Sequence, residues 1–274
     1  MVASPLDAPE VRTDEVGGVE VALDATRTGE AFVLPDGPTR RGLVWETRFV
    51  MLAFLSAGVT GAIISFAQHL NHSGSSSRFP EIVHHEPVVN MLIGILSYVA
   101  IGGMVPLVLL LLIRTGQPPR WLGLGRAGST SDILPALGLI AISFGSQLLL
   151  AALISPLELA HKSWFASVPT GGVPSYYLIW GLVISAVTAI TEEVIVNGYL
   201  LTRLDQFGWT APKALILSLA LRTSYHVYYG VGVLLTIPFG FFLTRSFQKH
   251  RRLNRAVLAH FLFDGILMTI AILA

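Results

Sequence analysis

The sequence predicts an all-α fold, a polytopic bundle of about seven transmembrane helices, and three observations carry that prediction. Hydrophobic residues make up 53% of the chain and charged residues 13%, where a soluble domain averages about 25% charged. The apolar residues gather into runs, most of them near the roughly 20 residues that span a bilayer as a helix. Most of the charges fall between those runs or in the first 40 residues.

Taken in order, residues 1–43 predict a disordered, acidic cytoplasmic tail. Residues 1–40 contain eight acids, from Asp7 to Asp36, among Gly, Pro and Thr, a composition that buries too little apolar surface to fold. This segment lacks the basic start and apolar core of a signal peptide. Apolar runs at 47–68 and 88–113 predict a transmembrane hairpin over 44–118. Runs at 133–156 and 176–201 follow, then three shorter ones at 212–228, 231–247 and 255–274, which together define a core over 119–274. The run at 212–228 ends at Tyr229-Gly230 and is a candidate for a broken or re-entrant segment. Non-helical backbone is tolerated at that depth only inside protein or beside a cavity.

The basic residues set the orientation. With the N-terminus cytoplasmic, the inside loops hold Arg114, Arg120, Arg126, Arg203, Lys213, Arg245, Lys249, Arg251, Arg252 and Arg255. The outside loops hold only Arg78 and Lys162. The positive-inside rule then places the N-terminus in and the C-terminus out, in the plasma membrane. His69, His72, His84 and His85 in the outer loop 69–87 are expected to be solvated. The chain has no cysteine, which removes disulfides, thiol catalysis and thiolate metal sites. No internal repeat is visible, against a transporter built on inverted repeats. Gly198, Gly230, Gly232 and Gly240 suit close approach of helices, and Tyr225, Tyr228 and Tyr229 suit an interfacial belt or helix packing.

Glu192 and Glu193 stand in the middle of an apolar helix. A charged side chain there costs about 2.5–3.5 kcal/mol on insertion scales, so the pair points to function. Residues four apart share a helical face. Glu193 and Asn197 form one such pair, Arg222 and His226 another, and His260 and Asp264 a third. Polar groups in membrane helices turn to the bundle interior, so the three pairs should converge. A carboxylate removed from water gains basicity and suits a general base. Histidines beside it can orient a water or donate to an oxyanion. Arg222 is expected to be the buried counter-ion of Glu193.

The stretches TEEVIVNGYL (191–200), LRTSYHVYYG (221–230) and AHFLFDG (259–265), in that order, resemble the CAAX protease and bacteriocin-processing family, also called the abortive-infection family. That family includes the Ras-converting CAAX endoproteases. The resemblance covers roughly residues 120–274, and WLGLG (121–125) is similar to the loop that often precedes the family core. It implies a catalytic core in the C-terminal four helices and an intramembrane endopeptidase acting on membrane-associated protein or peptide substrates. Glu192 would activate water, His226 would hold that water, and His260 with Asp264 would stabilise the oxyanion. Glu193 would be the supporting carboxylate.

Two positions depart from the family pattern. Residue 197 is Asn where the family usually has Arg, and residue 222 is Arg where it often has Phe. The charge missing at 197 reappears at 222, which a buried carboxylate would require. Asp264 in place of Asn is a milder departure that family members share, and a carboxylate stabilises an oxyanion only when protonated. No metal is required by this reading. A zinc protease drawing Glu192 or Glu193, His226 and His260 from separate helices is a second reading. A non-catalytic scaffold or a proton-coupled transporter is a third. The expected partners are the bilayer and the substrate, with no nucleic acid.

Overall fold

A computed structural model describes residues 39–71, 95–96, 98–124, 130–154, 176–226 and 232–273. The acidic tail before residue 39, His72, His84 and His85 of the outer loop, and Tyr228, Tyr229 and Gly230 lie outside them.

The described residues form helices and no strand. The first is α1 (Arg40–Asn71), followed by α2 (Met104–Arg114) and α3 (Ile133–Ile154). The fourth rod changes pitch along its length. It is α-helical as α4 (Tyr176–Glu192), π-helical over Glu193–Leu200 and α-helical again as α5 (Leu201–Gln206). The last three are α6 (Ala211–Tyr225), α7 (Thr236–His250) and α8 (Leu253–Leu273). Short 3₁₀ turns at Pro119–Leu122 and Thr130–Asp132 join α2 to α3. Among the described residues these make seven rods, as the apolar runs predict.

Three helical stretches among the described residues are long and apolar enough to cross a membrane: Thr130–Ile154, Leu178–Gln206 and Leu253–Ile270. Their environments differ. On α3, Leu134, Leu148, Leu149 and Leu153 are all exposed, as suits a face turned to lipid. The middle of the fourth rod is the reverse: all eight residues of the π-helix are buried. α8 packs against both α3 and α4. At 15 residues each, α6 and α7 are roughly 22 Å long, shorter than the hydrocarbon core.

Two apolar clusters flank the polar interior. One joins Val50 and Phe54 of α1, Val108 and Leu112 of α2, and Ile195 and Tyr199 of the π-helix. The other joins Ile140 of α3, Phe239 and Leu243 of α7, and Ala259 and Phe263 of α8. Phe239 stacks on Phe263 with centroids 4.3 Å apart, and Phe144 on Phe263 at 4.4 Å.

Arg203 corrects an expectation. It is not in an inside loop but on α5, at 0% exposure. Its Nη2 is 2.7 Å from Glu46 Oε1, and its Nη1 donates to Gln117 Oε1 at 2.6 Å and Gln206 Oε1 at 3.0 Å. The Tyr199 hydroxyl donates to the same Glu46 oxygen at 2.8 Å. A positive charge near a helix end looks like a loop residue in sequence; here it ties α1 and α2 to the fourth rod. Asp132 lies 3.3 Å from Arg252 and 3.4 Å from Arg255, and Asp205 pairs with Arg251.

The WLGLG stretch has a mechanical role. Gly123 sits at φ +78°, and a Cβ there would fall 2.6 Å from the Arg251 carbonyl oxygen. The Gly123 carbonyl accepts the Leu253 N–H at 2.9 Å, clasping the turn between α7 and α8. Gly123→Ala should therefore lose roughly 2–3 kcal/mol from the left-handed backbone and the clash. Thermal unfolding of the detergent-solubilised protein measures it, with Gly116→Ala as the control, because Gly116 shares the positive φ with open space around it.

Candidate active site

Glu193 is the centre of the polar interior and is fully buried. Its Oε1 accepts from Arg222 Nη2 at 2.8 Å and lies 2.8 Å from His260 Nδ1. Its Oε2 accepts from the Asn197 side-chain amide. Asn197 Oδ1 accepts from the Thr244 hydroxyl at 3.0 Å, which lies 3.1 Å from Ser218 Oγ. One carboxylate is thus held by groups from its own helix and from α6 and α8, with α7 reached through Asn197.

Glu192 faces a different set. Its Oε2 accepts from the Tyr225 hydroxyl at 2.7 Å and from Arg222 Nη1 at 3.4 Å. Arg222 therefore spans both glutamates. It fits because α7 offers a glycine: a Cβ on Gly240 would come within 3.0 Å of Arg222 Cδ. Gly198 has the same use on the π-helix, where a Cβ would meet Leu253 Cδ2 at 3.1 Å.

His226 is the residue that ends α6. Its ring lies 4.7 Å from the ring of Tyr225, and it is close enough to feel the charges of Glu192, Asp264 and His260. On α8, His260 Nε2 lies 3.3 Å from Asp264 Oδ2, and the edge of Phe239 meets the imidazole at 5.0 Å between centroids. The seven residues singled out in the sequence, Glu192, Glu193, Asn197, Arg222, His226, His260 and Asp264, come together in one interior.

Two contacts differ from the sequence reading. Of the two glutamates it is Glu193 that His260 meets directly, whereas the sequence reading has Glu192, the water-activating carboxylate, facing His226 and His260. Tyr225 does pack, edge-on to Phe54 with centroids 5.6 Å apart, but its buried hydroxyl also bonds Glu192. The signal for that contact was its place directly before His226, three residues after Arg222. The π-helix has no signal in the spacing of apolar residues. Short π segments within α-helices are frequent at functional sites, and this one begins at Glu193.

Among the described residues no group of three or more His, Asp or Glu side chains has the arrangement that would hold a metal ion. Both ring nitrogens of His260 lie on carboxylates instead. An apolar groove of about 310 Å³ runs between α4 and α8, lined by Leu182, Phe261, Gly265 and Ile266 among others, and none of the site residues lines it.

Two glutamates, an arginine, two histidines and an aspartate thus converge inside a bundle of apolar helices. Residues 174–266, about a third of the chain, match the family of type II CAAX prenyl endopeptidases, Rce1-like. The chain carries a domain of that family, and every residue of the constellation falls within it. No curated protein and no solved structure matches the chain.

Proposed function

We propose that this protein is an intramembrane endopeptidase that cleaves membrane-associated protein or peptide substrates. The observation that supports this best is the convergence of Glu192, His226 and His260 inside the matched domain, with Glu193 and Arg222 supporting them. Glu192 takes a proton from water, and the hydroxide attacks the scissile carbonyl. Tyr225 and Arg222 fix the Glu192 carboxylate from one oxygen. His226 orients the water, and His260 donates to the oxyanion that develops on the carbonyl. Charge stabilisation of that kind usually contributes more to acyl-transfer catalysis than any other single effect.

The reaction so written needs no metal, and activity that survives a strong chelator supports it over the zinc reading. The positive-inside bias supports a plasma-membrane protein with its N-terminus inside and its C-terminus outside. The test of function compares wild type with Glu192→Ala on a fluorogenic peptide ending in a prenylated Cys-aliphatic-aliphatic-X sequence. A parallel mass-spectrometric survey of membrane peptides covers other substrates. Glu192→Ala should lose at least about 100-fold in kcat, the scale of a general base. Identical peptide profiles from the two proteins sink the enzymatic reading and leave the scaffold.

A further inference from the structure

We propose that His260 and Asp264 together hold the proton taken up by the leaving amine. This pair is then the general acid of the reaction, and Glu193 is the residue that positions it. The proposal rests on the endopeptidase reading above.

A neutral imidazole ring has one N–H donor and one lone-pair acceptor. In this site both ring nitrogens face carboxylate oxygens, Nδ1 at 2.8 Å from Glu193 and Nε2 at 3.3 Å from Asp264. A bare nitrogen facing an ionised carboxylate would set lone pair against lone pair. The arrangement therefore holds one proton more than a neutral imidazole between two carboxylates.

Where that proton sits follows from burial and partners. Glu193 is at 0% exposure and also receives Arg222 and Asn197, so it is the fixed end of the chain. The Asp264 side chain is 29% exposed, against 6% for His260, so it is the open end. The mobile proton lies between Nε2 and Asp264. The other charged or titratable groups about His260 are Glu192 from the fourth rod, and Arg222 and His226 from α6. α7 contributes only the Phe239 ring edge.

The protons balance. Water gives one proton to Glu192, and its hydroxide forms the new C–O bond. When the tetrahedral intermediate collapses, the C–N bond breaks and the nitrogen takes the proton from Nε2 of His260. The new carboxylic acid returns a proton to His260. Glu192 passes its own to the amine, which leaves as an ammonium. Asparagine at 264 can donate a hydrogen bond but stores no proton; aspartate does the reverse.

The test is Asp264→Asn, assayed on two prenylated peptides that differ only at the scissile bond, an amide and a thioester. A thiolate leaves without being protonated. The amide-to-thioester rate ratio should fall roughly 100-fold in Asp264→Asn, within the range of general-acid contributions. An unchanged ratio, or faster amide cleavage, overturns the proposal and returns Asp264 to oxyanion stabilisation. A wild type that cleaves neither peptide excludes these two as substrates and leaves the endopeptidase reading to the peptide survey above. In that event nitrogen-15 spectra of the histidine rings still decide the proton store. His260, assigned by loss of its signals in His260→Gln, should show two N–H groups near neutral pH in wild type and one in Asp264→Asn. A single N–H in wild type overturns the store.

Discussion

Arg222→Phe should destabilise the protein by about 3–5 kcal/mol, the usual loss when one partner of a buried ion pair is removed. The cause is specific. Arg222 serves Glu193 at 2.8 Å and Glu192 at 3.4 Å, and removing it leaves two adjacent carboxylates in the bundle interior without a permanent cation. Activity should fall with stability, because Glu192 loses one of its two fixed contacts. Adding Asn197→Arg should recover at least half of the loss. Asn197 already reaches the other oxygen of Glu193, so an arginine there begins next to its target. The phenylalanine at 222 fills the space in front of Gly240 that the arginine chain vacates. Thermal unfolding of the single and double variants in the same detergent reads the effect. A double variant no more stable than the single would refute the exchange.

Glu46→Ala should also cost about 3–5 kcal/mol, although Glu46 is far from the catalytic groups in sequence. Its partner Arg203 has 0% side-chain exposure, and the substitution leaves that guanidinium with two neutral glutamines. It also strips Tyr199, a residue of the π-helix, of its hydroxyl partner. Glu46→Gln keeps an acceptor for both and should lose less. The comparison that isolates burial is Asp205→Ala. That residue pairs with Arg251 at 27% and 40% exposure, and pairs open to solvent contribute about 0–1 kcal/mol. If Glu46→Ala and Asp205→Ala have equal effects, the buried pair is not a structural tie. Glu46→Ala should also slow cleavage, since the far end of the π-helix is anchored there.

The helices were legible because the signal is redundant. Each apolar run offers many residues for one decision, and α3 or α8 survives an error of several positions. The convergence of polar groups was legible for a related reason: Glu193, Arg222 and His260 have nowhere else to turn in a bundle that faces lipid. What escaped depends on single contacts. The Tyr225 hydroxyl reaches Glu192 only because α6 ends where it does. Arg203 looks like a loop residue until Glu46 arrives from α1 and Gln117 from the turn after α2. The π-helix changes the hydrogen-bond register without changing the hydrophobic pattern. Which of two neighbouring glutamates meets His260 is likewise a choice that adjacent residues of one type cannot reveal in sequence.

The glycine that faces Arg222 carries a consequence for recognising similar chains. An arginine borne on the sixth helix needs a small residue opposite it on the seventh, and it relieves the fourth rod of supplying its own cation. Positions 197, 222 and 240 are therefore one packing choice rather than three, and a residue found at any one of them is read together with the other two.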